Sequence, residues 1–468
     1  MLKIIVSMVL FSTVVLANTL PAQSIVQIFS ATSAPNYQYP WQSGKIEEHS
    51  GSGVVIGEQR IITSAHVVSD AKFIQVSKEN SSKKYIAHIK YISHQADLAI
   101  LEVQDKSFFE GTHALKFTTE IKQGDPITVL GYPLGGQTLS TTKGIISRIE
   151  PSRYSWSGEN LLAIQVDAAI NPGNSGGTAL NQKGEIVGIS MQTYTKANNI
   201  SYIVPSLIVN SFLEDVKDGK VDGYDNAKTA FQPLINETLK KHYGISNDIG
   251  VVISHLDKNE NTLRLGDILL SIDNSPIYND GTIKTPYGIM KYTFALHTKP
   301  VGDTITMKVI RDKKTIELLY TLKKAYHIVY TEKNTLPRYM IYGGFIFSPL
   351  THNYLASINL TSSNFELLFL DNCRTKHIKE AVVMQYEVLP HDINIGYHAH
   401  GDLVKSVNGV LVEDFAHFVK LIDVVDTPYT TIEFIDEDHK KFIFDTQKVK
   451  ESFQDIKAIY GLSSDRRL

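Results

Sequence analysis

In Asp167-Ala168-Ala169-Ile170-Asn171-Pro172-Gly173-Asn174-Ser175-Gly176-Gly177 one serine stands among residues that turn the backbone sharply and bare its amides. A serine hydroxyl is a weak nucleophile near neutral pH. Acyl transfer therefore needs a base to take its proton and donors to hold the oxyanion that forms. Within the turn Gly173-Asn174-Ser175, glycine and asparagine let the N–H groups of Gly173 and Ser175 aim at one point as an oxyanion hole, while Gly176 and Gly177 leave room for substrate. An ordinary Gly/Asn-rich turn between strands has the same composition, so the motif gains weight only through partners.

Two partners lie upstream. Ile61-Ile62-Thr63-Ser64-Ala65-His66-Val67-Val68 places His66 at the end of a β-branched run, and Gln95-Ala96-Asp97-Leu98-Ala99-Ile100-Leu101 places Asp97 at the edge of an apolar strand. Taken singly, His66 reads as a core histidine and Asp97 as a strand cap. The order His66, Asp97, Ser175 is that of the chymotrypsin-like triad, whereas an α/β-hydrolase runs Ser, Asp, His. After Ser175 the chain reads as a hairpin through Thr178-Ala179-Leu180 and Ile186-Val187-Gly188-Ile189, not as the helix a nucleophile elbow begins. A hydrolase would also need a later histidine such as His242 or His255, and those fall in a different segment.

Carried by Ser64-Ala65-His66-Val67-Val68, Ala96-Asp97-Leu98-Ala99-Ile100-Leu101, Gly131-Tyr132-Pro133-Leu134-Gly135-Gly136 and Asn171-Pro172-Gly173-Asn174-Ser175-Gly176-Gly177, the sequence resembles the HtrA/Deg serine proteases. Further on, Tyr342 to Leu350 and Val388 to Tyr397 look most like the organellar Deg proteases of plants. The resemblance implies two six-stranded barrels with the site between them, His66 and Asp97 from the first and Ser175 from the second. It puts Ile170, Ile189, Ser190 and Met191 at the pocket for the side chain before the cleaved bond, where an apolar, uncharged lining favours Val or Ala over Lys or Arg. It implies homo-oligomers, trimers or multiples of trimers. The loop Pro133 to Thr142 and the tract Pro151 to Asn160 could shift at the site, since relatives can rest with a disordered or misaligned oxyanion turn.

The elements that would carry these residues are short. From Ser24 to about Tyr224 β-rich runs alternate with turn residues, and the first long helical stretch is Pro205 to Asp215. The expected class is mostly β: a chymotrypsin-like double β-barrel followed by two α+β PDZ-like domains. Boundaries are expected at residues 1–17 for a leader, 18–225 for the protease, and 226–325 and 326–468 for the PDZ-like domains. Met1-Leu2-Lys3 followed by the apolar run Ile4 to Leu16 and Val15-Leu16-Ala17 reads as a secretory signal cleaved after Ala17, with Ala22 as second candidate. That run is shorter than the roughly 20 apolar residues of a spanning helix, so no stable membrane insertion is expected and the location is periplasmic or extracellular. The polar insertion Ser30 to Ser50 reads as a long loop.

The second half contains a repeat. Leu265-Gly266-Asp267-Ile268-Leu269-Leu270-Ser271-Ile272-Asp273-Asn274 and His400-Gly401-Asp402-Leu403-Val404-Lys405-Ser406-Val407-Asn408-Gly409 share Gly-Asp, an apolar strand and a turn. Each is followed by a helical pattern, Tyr287 to Leu296 and Phe415 to Ile422, and by a hairpin, Ile305 to Leu322 and Thr430 to Phe444. This resembles two PDZ domains, which take extended peptides by strand addition. Tyr342-Gly343-Gly344-Phe345 is expected to cradle a peptide carboxylate in the second. Phe231-Gln232-Pro233-Leu234-Ile235 stands at that place in the first, where proline removes an amide. The linker Gly219 to Lys228 is expected to let the first PDZ-like domain move, and Lys323 to Leu336 marks the next boundary.

With a net charge of −3, the 468-residue chain carries no basic bias toward nucleic acid. The single Cys373 leaves no intramolecular disulfide, and the 16 histidines lack zinc-site spacing, so no metal or cofactor is expected. No phosphate loop with a following lysine is present, so ATP use is not expected. The expected function is an ATP-independent serine endopeptidase of unfolded or damaged proteins, with activity rising as His66 deprotonates. A peptide-binding chaperone with a latent protease site is the competing reading.

Overall fold

The computed structural model describes residues 21–134, 136, 138–193, 200–225, 229–256, 260–324, 326–358, 377–435 and 440–468. The expected leader and Cys373 lie outside them. Six strands, β1 (Ile25–Thr32), β2 (Glu47–Ile56), β3 (Arg60–Thr63), β4 (Ala71–Lys78), β5 (Tyr85–Ser93) and β6 (Leu98–Val103), close a barrel in the order 1-2-3-6-5-4. A second barrel repeats that order with β7 (Pro126–Gly131), β8 (Ser140–Arg153), β9 (Asn160–Val166), β10 (Thr178–Leu180), β11 (Ile186–Thr193) and β12 (Ser201–Pro205). Closure leaves neither barrel an unpaired edge. The inward residues are β-branched and aliphatic, and one core joins both barrels: Ile25, Val54, Ile62 and Leu98 from the first meet Leu130, Leu162 and Met191 from the second. The seam between barrels is thereby fixed by apolar packing. The helix α1 (Ala65–Val68) starts from Ser64, and α2 (Ser206–Asp215) follows Pro205.

Beyond the barrels the strands Ala230–Pro233, Val251–His255, Ile268–Ile272, Thr304–Arg311 and Lys314–Thr321 form one sheet in that order, with Ala230–Pro233 at an edge. The helix expected over Tyr287 to Leu296 is mostly a hairpin instead. Thr282–Thr285 pairs with Gly288–Lys291, and only Thr293–Leu296 is helical. Threonine and isoleucine favour the extended state here, and the Thr285 hydroxyl closes the turn by donating to Gly288 O at 2.8 Å and accepting from Tyr287 N at 3.1 Å. The hairpin also has a place to go: Met290 is buried in the barrel core and the Tyr287 hydroxyl donates to Thr119 O at 3.1 Å.

The C-terminal region holds two four-stranded sheets around an aromatic core of Phe345, Phe415, Phe418, Phe442 and Phe444. Its helices Phe415–Asp423 and Thr446–Tyr460 start on aspartates, Asp414 accepting from His417 N at 2.7 Å and Asp445 from Lys448 N at 3.0 Å. One sheet runs Val382–Val388, Phe345–Pro349, Tyr339–Tyr342, Arg466–Arg467. Tyr342-Gly343-Gly344-Phe345 is therefore a hairpin turn, with Tyr342 paired to Phe345, and the strand that follows has neighbours on both sides. The Gly344 carbonyl accepts from Leu389 N at 2.8 Å, and Asn394 Nδ2 donates to Gly343 O at 3.0 Å. Contrary to the expectation of a carboxylate cradle, the strand after this motif has no free edge to offer a peptide.

Two connecting segments also differ from expectation. The ends of the Ser30 to Ser50 insertion belong to β1 and β2, and the residues between them lie on the C-terminal region. The Trp41 ring sits 5.9 Å from Tyr339, the Tyr39 hydroxyl donates to Glu387 Oε2 at 3.0 Å, Gln385 Nε2 donates to Tyr37 O at 3.1 Å, and Arg467 Nη1 donates to Pro40 O at 2.8 Å. Three aromatic rings and two prolines in a mostly polar loop supply the surface that makes docking favourable. The described part of the linker after Gly219 is likewise pinned. Gly223 N donates to Asp215 Oδ2 at 3.0 Å and Tyr224 N to Gln95 Oε1 at 3.0 Å, and the Tyr224 ring is buried. Among the described residues no helix is long and apolar enough to cross a membrane.

Candidate active site

His66 stands on α1, whose first turn is held to the second barrel by the Ser64 hydroxyl donating to Ser190 O at 3.0 Å. Asp97 precedes β6 with a φ of 54°, a backbone conformation that Asp tolerates better than β-branched residues, and it is fully buried. Its carboxylate takes two bonds from one residue: His66 Nδ1 at 2.8 Å from Oδ2 and His66 N at 2.9 Å from Oδ1. A carboxylate out of water with both oxygens engaged fixes the ring's orientation and favours the tautomer with the proton on Nδ1. Burial of the ring disfavours the imidazolium, but the charge and hydrogen bond of Asp97 outweigh it, and His66 is raised above its ordinary 6.5 while Lys333 pulls it back part of the way.

The serine turn is clamped from both barrels. Ser52 N donates to Ser175 O at 2.8 Å, Gly176 N to Ser190 O at 2.8 Å, and the Ser52 hydroxyl to Gly173 O at 2.8 Å. Gly176 has to be glycine. Its φ is 79°, and a Cβ there would lie 2.1 Å from Thr63 Oγ1 and 2.2 Å from Ser52 O. Asn174 N donates to Asn171 O at 2.9 Å, so its amide is spent inside the turn. Among the described residues no acceptor engages the Gly173 or Ser175 amide. The Ser175 hydroxyl points at Met191 O, 3.4 Å away, and no bond joins it to His66 among the described residues.

Of the four expected pocket residues, Met191 lines a cavity of about 500 Å³ together with His66, Asp70 and Trp156. Ile189 and Ile170 pack into barrel cores, and the Ser190 hydroxyl is buried with no hydrogen-bond partner. Trp156, from the loop between β8 and β9, was not anticipated as a wall of the site. Its ring lies 6.2 Å from His66 and 6.0 Å from His94, to whose Nδ1 its indole N–H donates at 3.2 Å. A single exposed-looking tryptophan in Ser155-Trp156-Ser157-Gly158 was the one available signal.

Two six-stranded barrels with a histidine–aspartate pair facing a serine turn across their seam, followed by PDZ-like sheets, make this chain a serine-type endopeptidase of trypsin-like fold. A trypsin-like peptidase domain model matches residues 51–189, and a PDZ domain model matches residues 328–467. The chain is 34% identical over 450 residues to Protease Do-like 4, mitochondrial, of Arabidopsis thaliana, covering 94% of this chain and 84% of that protein. It is 30% identical over 455 residues to the same plant's Protease Do-like 2, chloroplastic, covering 95% and 74%. Among solved structures, the HtrA-type protease AlgWS227A with decapeptide shares the fold at a TM-score of 0.50 and 21% identity, over 64% of this chain and 94% of that one. The chain belongs to the HtrA/Deg family of serine proteases.

Proposed function

We propose that this protein is an ATP-independent endopeptidase that cleaves unfolded or damaged polypeptides through a Ser175–His66–Asp97 acyl-enzyme mechanism. The observation that carries the reading is the double hydrogen bond from His66 to buried Asp97. It holds Nε2 free to accept the Ser175 proton as the hydroxyl attacks a peptide carbonyl. The imidazolium that results is stabilised by Asp97 and then protonates the departing amine. The amides of Gly173 and Ser175 receive the oxyanion, and water reverses the sequence to release the acyl group.

Met191, the one expected pocket residue that lines the cavity, supports a preference for small aliphatic side chains before the cleaved bond. Relatives named as mitochondrial and chloroplastic proteases support work outside the cytosol, and a role in quality control and an oligomer of trimeric type are parts of the same proposal. The segment 226–325 is proposed as a first PDZ-like domain and 326–468 as the second. The competing reading, a peptide-holding chaperone with a latent site, has its own observation, the Ser175 hydroxyl turned toward Met191 O.

Digestion of an unfolded, casein-like protein, beside labelling with a serine-directed fluorophosphonate, tests the proposal. Wild type should cleave and label, and Ser175→Ala should do neither. A wild type that does neither yet suppresses client aggregation makes the latent-site reading the better one. The acid limb of kcat/KM supplies a second check. Because the neutral imidazole is the active form and its pKa is raised, activity should rise through a midpoint above pH 6.5. A limb centred below pH 6 would remove His66 from the base role.

A further inference from the structure

The segment entering the C-terminal region reaches back to the cleft. Asn334 is clasped to Asp70: Asn334 N donates to Asp70 Oδ1 at 2.9 Å, and the Ser69 hydroxyl donates to Asn334 Oδ1 at 3.1 Å. Asn334 holds a φ of 58° and Asp70 one of 56°, so each backbone is bent to meet the other. This clasp sets the residue before it, Lys333, over Trp156. The ammonium lies 3.5 Å from the indole ring centroid and donates to the Trp156 carbonyl at 3.2 Å. Short cation–π geometry plus a hydrogen bond to the same residue holds Trp156 at its face, while His94 accepts its indole N–H at the ring edge.

We propose that Lys333 is a positioning residue for the protease reaction: its ammonium holds Trp156 against His66 and lends that histidine's surroundings a positive charge. The inference rests on His66 as the general base. Seated on Trp156, the cation biases the histidine toward its neutral, proton-accepting form. It opposes part of what Asp97 does. The setting is charged from several sides: Asp70, Asp97, His66 and His94 come from the first barrel, Glu47 and His49 of β2 line the same cavity as His66, Glu159 comes from the loop after β8, Lys324 and His327 from the same entering segment, and His352 from the helix His352–Ser357. Burial lowers Lys333 to about 8, against the pull of Asp97 and Asp70, and lowers His94 to about 4 with help from Lys333. His94 is therefore neutral near pH 7, and Lys333 lies over the indole as a cation. Because Lys333 belongs to the segment that leads into the C-terminal sheets, the bias depends on that segment's docking.

The test is the pH dependence of kcat/KM for wild type, Lys333→Met and Lys333→Arg, each checked for wild-type circular dichroism. Removing the charge should move the acid limb to higher pH by about 0.5 unit, which costs roughly threefold in kcat/KM at pH 6 relative to the variant's own plateau. Arginine should restore the wild-type limb, since it keeps both charge and stacking. A Lys333→Met limb that superimposes on wild type, or an arginine variant that shifts as methionine does, overturns the proposal and leaves the protease reading intact. Absence of cleavage by wild type overturns both. Should Lys333→Met fail to fold, Lys333→Gln is read by the same criteria.

Discussion

The two regions after the barrels are built from similar sequence and end up with opposite edges. In the first, the strand Ala230–Pro233 lies at the border of its sheet, beside a cavity of about 260 Å³ lined by Phe231, Tyr292, Leu296 and Tyr320. In the second, the glycine-rich motif closes a hairpin, and the strand after it is paired on both sides. A motif that reads as a ligand loop has become a turn, and a segment that lacks the motif keeps the open edge. Strand addition needs an unpaired row of N–H and C=O groups before it needs a carboxylate cradle, so the edge decides which region can hold a peptide.

Three measurements put pressure on that contrast. The largest effect is expected from Gly344→Ala, because φ is 79° and the new Cβ would lie 2.3 Å from Asn394 Nδ2 and 2.5 Å from Leu389 O. A loss of about 3 kcal/mol is expected in urea unfolding of the C-terminal region, read from Trp41, with Trp156→Phe as background. Gly244→Ala in the first region, at φ 68° with nothing within 4 Å of a Cβ, should cost about 1 kcal/mol. Equal losses would mean that the second turn is not the tight one described. Next in size, an apolar peptide should bind the Ser175→Ala chain through the first region, and Phe231→Ala should weaken it about tenfold by calorimetry. Binding that survives Phe231→Ala but fails in a C-terminal-region variant would reverse the comparison. The smallest effect belongs to the peptide's own end: amidating its carboxylate should change affinity less than about threefold, because Pro233 removes one amide from the place where a cradle would form.

Much of the barrel pair was legible because its signals are local. Alternating β-branched runs and a glycine turn are each complete within a few positions, the order His66, Asp97, Ser175 is read straight off the chain, and the structure brings the three residues to one seam. What was not legible depended on distant partners. Tyr287 to Leu296 has a helical apolar spacing, yet Thr282–Thr285 pairs with its first half and Met290 finds the barrel core. Nothing near Lys333 signals that it will rest on a tryptophan 177 positions earlier. The Tyr342–Phe345 motif misled for the same reason, since a glycine pair fits a cradle and a hairpin equally well until the neighbouring strands are known.

The bond from Arg467 to Pro40 joins residues 427 positions apart. Each barrel, by contrast, is made from about eighty consecutive residues, Ile25 to Val103 and Pro126 to Pro205, so every strand pair in it closes a far shorter span. Long loops are slow to close, so the barrels should fold first and the clasp between the early loop and the far end of the chain last. During that interval a newly made molecule has a formed cleft and an unsecured loop beside it. If the barrels do close first, the C-terminal region of the same chain would be the polypeptide nearest the newly formed cleft.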